Sequence, residues 1–521
     1  VSAPVLPEPI GVVGAGTMGA GIAQLAAVAG LRTLVYDAVP GAAQAGCARI
    51  VEALQRAVTR ERLTAVAADA AAARVTPVAE PADLTPCRLV VEAAPEQLEL
   101  KLALFAELSR HVSAECVLAT NTSSLSVTEI AAAATAPERV VGLHFFNPPT
   151  AMALVEVVAG AQSSEQALAT ARAVATAMGR HPIDARDIAG FLVNRCNRPY
   201  QLEPLRLLAE RIAPIEQIDR IMRLGAGFRM GPFELMDLIG LDTNFAVARE
   251  MHRQTFGEPR YQPSPLQARM VAAGRLGRKS AHGWYAYPPG NRRHRLDDPE
   301  PPAAGGGAGR PVAITGDLPL ARELRASAAA AGWAVTGDAH PWLIVRCDGA
   351  AGGPDVGPRA LLLASGSLHS LDPAAIGFHA LAPFAGSRLV ELTRTALSDP
   401  LAAERTEEFF ASLGRLVEWV GDAPGLVTGR VVCQLINEAA FLIGEGNATA
   451  ADVDAGMTLG VNHPRGPVEW SRVLGLGHVV GVLEALQREL GEPRYRVAPL
   501  LARQLATGAD LDAKPDRPRS G

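Results

Sequence analysis

The chain predicts an α/β domain built on a parallel sheet, followed by an all-α domain, with the pair duplicated in tandem and the second copy degenerate. Three observations carry this prediction. Short apolar runs alternate with longer Ala-rich segments of helical period, the text turns purely helical after about residue 185, and the whole pattern returns 235 residues later. With 521 residues there is room for several cores at roughly 150 residues per domain.

The apolar runs IGVV, RTLVYD, RLVVEAA, CVLAT, RVVGLHFF and LVEVV read as strands of a sheet domain over residues 1–185. Residues 186–287 read as helices, punctuated by Gly231-Pro232 and by further prolines around 259–265. Residues 288–311 are rich in Pro and Gly and have no apolar period, which predicts a flexible connector. A second sheet domain over 312–420, a second helical domain over 421–510 and a frayed tail over 511–521 complete the organisation.

The duplication is visible residue by residue. At a shift of 235, Gly142, His144 and Pro148 meet Gly377, His379 and Pro383, and Leu154-Val155-Glu156 meets Leu389-Val390-Glu391. Asp187, Gly190 and Arg195 meet Asp422, Gly425 and Arg430, while Glu203, Glu210 and Asp219 meet Glu438, Glu445 and Asp454. After a one-residue slip, GEPRY at 257–261 recurs at 491–495.

Composition narrows the class. Apolar residues make up 48% and charged residues 20%, which excludes wholesale disorder. Lys and Arg number 49 against 54 Asp and Glu, a net charge of −5, so no basic field points to nucleic acid. No apolar run reaches about 18 residues and the first ten lack a basic segment, so neither a membrane span nor export is expected. Cys47, Cys87, Cys116, Cys196, Cys347 and Cys433 lie far apart without a C-x-x-C pair. That spacing argues against a metal site and fits free thiols in a reducing cytoplasm.

The strand IGVV runs into Gly14-Ala15-Gly16-Thr17-Met18-Gly19, the opening of a helix that reaches Gly30. In such a turn the first glycine allows the bend, the second lets backbone N–H groups approach a pyrophosphate, and the third permits close helix–strand packing. A second strand ends at Asp37, 18 residues after Gly19, where a carboxylate accepts from ribose hydroxyls and repels a 2′-phosphate. These residues predict a Rossmann-type NAD site. In the second half Gly316 matches Gly14, but Leu318 and Ala321 replace Gly16 and Gly19, and Ala339 replaces Asp37. A leucine side chain where backbone must meet phosphate predicts one working site per chain, in the first half.

Past the first strands come TNTSSLS, HFFNP, LVEV and GFLVNR. A histidine titrates close enough to neutrality to exchange a proton easily, which marks His144. Glu156 lies in an apolar strand, where an unpaired carboxylate is costly, so His144 on the preceding strand is its expected partner. Ser123 and Asn194 are placed to hydrogen-bond a reacting oxygen. A packed polar pair without chemistry is the alternative. His379 and Glu391 keep the same spacing in the second half, whereas Gly366 and Gly429 replace Ser123 and Asn194.

Together, GAGTMG with Asp37, VVEAAPEQLELK, TNTSSLS, HFFNP, LVEV, GFLVNR, LGAGFRMGPFELMDLIGLD and LGRKSAHGWY resemble the L-3-hydroxyacyl-CoA dehydrogenase family over residues 9–287. The resemblance implies NAD-dependent oxidation of a (3S)-3-hydroxyacyl-CoA to the 3-oxoacyl-CoA. It implies His144 as base, Glu156 as its partner, and Ser123 and Asn194 as oxygen ligands. It also implies Glu96, Lys101, Asn147 and Lys279 as neighbours of cofactor or coenzyme A. The duplicated length is similar to bacterial 3-hydroxyadipyl-CoA dehydrogenases of phenylacetate breakdown, more than to single-copy 3-hydroxybutyryl-CoA or general fatty-acyl enzymes. Helical domains of single-copy members pair between subunits, which implies that 421–510 packs on 186–285 as a built-in partner, with a homodimer of the whole chain still open.

Few lysines follow Asp37 to meet the coenzyme's phosphates. Arg49, Arg56 and Arg60 step by seven and four along one helix face, which suits either those phosphates or a plain solvated surface. A distal carboxylate on the acyl chain would want a cation, and Arg195, Arg198, Arg223 and Arg229 all remain open. Two other readings stand beside the leading one. A phosphogluconate-type dehydrogenase shares the architecture but uses a lysine base where this chain has Asn194 and Arg195. An NAD-binding scaffold without turnover describes the second half better than the first.

Overall fold

The structure, a computed structural model, describes residues 6–288, 298–337, 340–348 and 357–512. It separates into two compact units, residues 1–195 with 459–461, and 196–458 with 462–521.

The first unit is built on β1 (Ile10–Val13), β2 (Thr33–Tyr36), β3 (Val75–Pro77), β4 (Leu89–Glu92), β5 (Val117–Thr120), β6 (Val140–Phe145), β7 (Leu154–Ala159) and β8 (His181–Arg186). Among the described residues they order as β3-β2-β1-β4-β5-β6-β7-β8. β1, β4, β5 and β6 are buried along their whole length, as expected of strands with helices on both faces. Helices Thr17–Val28, Ala42–Thr59, Leu98–His111 and Glu165–Ala177 belong to this unit, and Ala-rich faces of the first and last pack into its core.

The sheet departs from the all-parallel expectation at one place. β6 and β7 pair antiparallel, because residues 146–153 are too few for the crossover helix that a parallel neighbour requires. β3 and β8 extend the two edges beyond the six runs read as strands; neither is a continuous apolar run, and each lies on an edge with part of its surface open.

In the second unit, helices Arg198–Ala209, Ile215–Leu224, Pro232–Ile239, Leu241–Gln254 and Pro265–Ala272 precede a second sheet. Its strands are β9 (Pro311–Thr315), β10 (Ala334–Val335), β11 (Leu343–Arg346), β12 (Arg359–Leu362), β13 (Ile376–His379), β14 (Leu389–Thr393) and β15 (Leu416–Trp419), in the order β10-β9-β11-β12-β13-β14-β15 among the described residues. β13 and β14 again pair antiparallel. Helix Thr428–Gly444 follows and is buried over nearly its whole length.

That helix meets Arg198–Ala209 through charge. Arg430, fully buried, donates to Glu203 at 2.5 Å and to Glu210 at 2.5 and 2.9 Å. Tyr495 OH reaches Glu203 at 2.8 Å, and Tyr261 OH reaches the corresponding Glu438 at 2.5 Å with Arg260 at 2.7 Å. Buried guanidinium and carboxylate groups need such mutual satisfaction, so the network aligns the two helices tightly.

The connector expectation needs correction where it is described. Asp298 accepts from Arg223 at 2.6 Å, Glu300 pairs with Arg388 at 3.0 Å, and Gly305 N donates to Ser412 O at 2.8 Å, so 298–311 is tied down by polar contacts that its lack of apolar period does not reveal. Residues 289–297 lie outside the described residues, as does Ala339. The expected tail begins later than 511: Leu511 is buried and Asp512 pairs with Arg472 at 2.6 Å, while 513–521 lie outside the described residues. Among the described residues, no helix is long and apolar enough to cross a membrane, and no group of three or more His, Cys, Asp or Glu is placed to hold a metal ion.

Candidate active site

Register alone brings the dyad together. His144 on β6 stands directly opposite Glu156 on β7. His144 Nδ1 lies 2.6 Å from Glu156 Oε2, with the histidine side chain 7% exposed and the glutamate fully buried. Glu156 Oε1 accepts from Leu192 N at 3.0 Å and Val193 N at 2.9 Å. With Oε1 taken by two amide donors, Oε2 serves as acceptor for Nδ1–H, which leaves the ring's lone pair on Nε2. Among the described residues Nε2 has no hydrogen-bond partner. Phe146 and Phe191 flank the ring at centroid distances of 4.6 and 6.1 Å. Phe191 takes a positive φ of 48°, rare for a bulky residue, and this bend after Gly190 aims the two amides at Glu156.

Ser123 and Asn194 are neighbours: Asn194 Nδ2 donates to the Ser123 backbone oxygen at 3.2 Å. The loop carrying Ser123 is held from below. Glu96 Oε1 accepts from Thr122 Oγ1 at 2.6 Å, Ser123 N at 3.0 Å and Ser124 N at 3.2 Å. Burial works against its charge, but the Lys101 ammonium and these donors outweigh it and hold the carboxyl below the usual range. Lys101 is itself buried, 2.6 Å from Glu92 and 3.5 Å from Glu96. Glu92 takes a further bond from Thr120 at 2.7 Å. Lys101 and Glu96 are thus engaged in fixing loops around the site. Glu92 was missed, although it closes an apolar strand just as Glu156 sits in one, and the same cost argument marks it.

The glycine turn has the shape a pyrophosphate needs. Gly14 has φ of 95°, and a Cβ there would lie 2.6 Å from Ala93 O; a Cβ on Gly19 would overlap Gly14 O. Around Gly16, by contrast, a Cβ would meet nothing within 4 Å. Gly16 therefore borders open space at the N-terminus of helix Thr17–Val28, which carries Thr17 and Met18 in its first turn. Asp37 folds back on this turn, accepting from Ala15 N at 2.7 Å and Val39 N at 2.9 Å. The residues present fit a dinucleotide.

The remaining candidates divide. Asn147 is exposed at the end of the hairpin. Lys279 belongs to the second unit and pairs with Asp242 at 2.6 Å. Arg49 donates to Ala15 O at 2.5 Å and so braces the glycine turn. Arg56 is an exposed partner of Glu52 at 3.6 Å and Arg60 is exposed, the surface expected of a solvated face.

Comparison with known proteins shows the family. Residues 9–188 match the family model "3-hydroxyacyl-CoA dehydrogenase, NAD binding domain", and residues 190–287 and 425–515 match "3-hydroxyacyl-CoA dehydrogenase, C-terminal domain". The chain belongs to the 3-hydroxyacyl-CoA dehydrogenase family. It is 36% identical over 502 residues to the 3-hydroxyadipyl-CoA dehydrogenase of Escherichia coli K12, covering 95% of this chain and 96% of that one. It is 41% identical to a 3-hydroxybutyryl-CoA dehydrogenase of Mycobacterium tuberculosis H37Rv over 53% of this chain and 98% of that one. A crystal structure described as 3-hydroxybutyryl-CoA dehydrogenase from E. coli K12 superposes with a TM-score of 0.83 at 33% identity, covering 96% and 99% of the two chains.

The dehydrogenase's second centre shows how the same register fails to make a dyad. His379 and Glu391 stand opposite each other on β13 and β14. Yet Glu391 takes its bonds from Val427 N at 2.6 Å, Thr428 N at 3.0 Å and Thr428 Oγ1 at 2.5 Å, and His379 turns to Thr428 Oγ1 at 3.0 Å and His478 Nε2 at 3.1 Å. A Cβ on Gly429, the position of Asn194, would collide with the His379 ring. The imidazole fills the space that a side chain at this position, Asn194 in the first half, would need. Nearby, Arg325 donates to Ile314 O at 3.0 Å and Gly316 O at 2.5 Å, bracing the altered turn.

Burial holds His478 down from its ordinary 6.5 to about 4. A depressed folded-state value means this histidine's contribution to stability is fully present above about pH 6.5 and is lost as pH falls toward 4. Thermal melts of His478→Gln against the unaltered chain are expected to converge as pH drops through this window; parallel melting curves from pH 7 to 4 would contradict it.

Of the arginines considered for a distal carboxylate, Arg223 is spent on Glu234 at 2.8 Å and Asp298 at 2.6 Å, and Arg229 is exposed. Arg195 is buried and has a partner. Arg198 is buried, donates to Gln201 Oε1 at 2.6 Å, and has no carboxylate partner among the described residues; burial pushes its guanidinium down to about 10.

Proposed function

We propose that this dehydrogenase oxidises (3S)-3-hydroxyadipyl-CoA to the 3-oxo thioester, with His144 as the base. The single observation that carries the reading is the buried His144–Glu156 contact with Nε2 left open. His144 Nε2 takes the proton of the 3-hydroxyl, and Glu156, fixed by the Leu192 and Val193 amides, stabilises the imidazolium that results. Ser123 and Asn194 hold the substrate oxygen, and the glycine turn with Asp37 binds the cofactor. NAD bound there supplies the acceptor for the C3 hydride. Glu96 and Lys101 keep the Ser123 loop in place, so their part is to orient.

The full-length likeness to the E. coli 3-hydroxyadipyl-CoA enzyme supports the dicarboxylyl substrate, and with it the phenylacetate route that the sequence resembles. The E. coli crystal structure described as a 3-hydroxybutyryl-CoA dehydrogenase supports the shorter acyl chain as a second reading. Steady-state assays following NADH with both thioesters separate them: a higher kcat/KM for 3-hydroxyadipyl-CoA is expected, and a preference for 3-hydroxybutyryl-CoA would reverse the assignment.

The two halves are, on this reading, a tandem duplication whose second copy has lost cofactor chemistry and serves as a built-in partner. Matching bends support it: Gly190 and Phe191 have φ of 76° and 48°, and Gly425 and Leu426 have 70° and 46°. The six cysteines stand as free thiols, which supports a reducing, cytoplasmic setting.

A further inference from the structure

Gly460 lies far along the chain, yet residues 459–461 belong to the compact unit that carries the dyad. The segment ends a single π-helical turn, Gly456–Gly460, a form that often marks functional positions. A Cβ on Gly460 would stand 2.7 Å from Leu154 Cδ2 and 3.6 Å from both γ-methyls of Val193. Leu154 opens β7 two residues before Glu156, and so faces the same side of the sheet. Val193 N is one of the two amides that hold Glu156 Oε1, and Asn194 follows it. Leu154 and Val193 are both completely buried, so neither has room to move aside. The glycine thus backs the strand that carries Glu156 and the residue that fixes it.

We propose that Gly460 is a positioning residue for the His144–Glu156 dyad. This rests on the reading of that dyad as the proton-transferring pair. Replacing the missing hydrogen by a methyl pushes Leu154, at 2.7 Å, along the strand that carries Glu156, while Val193 at 3.6 Å keeps an ordinary contact; a catalytic pair displaced by a fraction of an ångström loses turnover. The decayed centre provides an internal control. Gly225 is at the matching position, where a Cβ would lie 3.3 Å from Thr428 Cγ2 and 3.6 Å from Leu389 O but would clash with its own chain's Ile221 O at 2.8 Å instead of with a strand side chain, and no chemistry depends on it.

The test uses the full chain with Gly460→Ala, Leu154→Val, their combination and Gly225→Ala, reading kcat, its pH profile and NAD affinity. Gly460→Ala is expected to lower kcat about tenfold or more, to shift the limb of the pH profile that reports the base, and to leave NAD affinity unchanged. Leu154→Val removes the Cδ2 atom that the new methyl meets, so the double variant recovers kcat, while Gly225→Ala keeps it throughout. If Gly460→Ala fails to fold, Leu154→Val decides: it empties the same contact and lowers kcat, and adding Gly460→Ala refills it and restores turnover. An unaltered kcat and pH profile in Gly460→Ala, no recovery in the double variant, or an equal loss in Gly225→Ala would overturn the inference. Loss of turnover in His144→Gln together with any of these results leaves the dyad reading standing and removes only the role of Gly460.

Discussion

His144→Gln is expected to lower kcat by about 10²–10⁴, the usual worth of a positioned general base, and to leave NAD affinity unchanged. The glutamine amide fills the imidazole's space and keeps a hydrogen bond within reach of Glu156, so the strand pair and the two amides on Glu156 Oε1 stay in place. It has no basic lone pair to receive the hydroxyl proton. Cofactor binding is insulated because the glycine turn and Asp37 make no hydrogen bond to His144 or Glu156 among the described residues. NAD titrations and steady-state turnover on the same preparation check both halves of the expectation. Turnover near that of the unaltered enzyme would reject His144 as the base, and a parallel loss of NAD affinity would show that the substitution had disturbed more than the proton transfer.

Gly16→Leu is the second large effect, and it separates folding from binding. Gly16 has φ of −66° and ψ of −166°, which any L-residue adopts, and a Cβ there meets nothing within 4 Å. The variant is therefore expected to fold with an unchanged melting temperature. Its side chain fills the space where backbone N–H groups must approach a pyrophosphate, which costs one or two charge-assisted hydrogen bonds and weakens NAD binding by roughly 10- to 100-fold or more. Calorimetric titration with NAD, set beside a thermal melt, reads both. Gly14 is the counter-example, since its φ of 95° and the 2.6 Å approach to Ala93 O make any side chain there a folding defect. Leu318 is the same experiment already present in the second half, in a turn that still bends at Gly316 with φ of 95°. NAD affinity unaltered in Gly16→Leu would show that a leucine at Leu318's position is no bar to a dinucleotide.

Proton bookkeeping and hydrogen-bond geometry account for the contrast between the two centres. Both place a histidine opposite a glutamate, so the strand pairing is common to them. They differ at Val193 against Thr428 and at Asn194 against Gly429. The threonine hydroxyl satisfies the carboxylate and the imidazole at once, and the glycine makes room for the ring to turn away. A buried histidine bonded on both nitrogens has no lone pair left for a substrate. On the proposed reading, the difference between the two centres lies in the neighbours of the histidine–glutamate pair and not in the pair itself.

Most of the site was legible from residues alone, because its parts are written in local patterns. The glycine spacing dictates a turn that only small residues can make, and Asp37 lies where β2 must end. Glu156 in an apolar strand announces a buried carboxylate that needs a partner, and His144 on the preceding strand is the nearest titratable candidate; that the two strands run antiparallel, so that the residues face each other, only the structure showed. The fold class follows from the same periodicities. What tertiary structure alone decided are the contacts between segments distant in sequence. Arg49 is an exposed-face candidate by spacing and a brace for Ala15 O in fact; Lys101 is a prospective ligand neighbour by motif and a buried counter-ion to Glu92. His379 and Glu391 keep their spacing yet do not pair, and Gly460 arrives behind β7 from three hundred residues away. Spacing specifies which side chains share a strand or a helix face, since backbone geometry is periodic. Which neighbour claims a given hydrogen bond depends on where separate segments pack, and that is set by the whole folded chain.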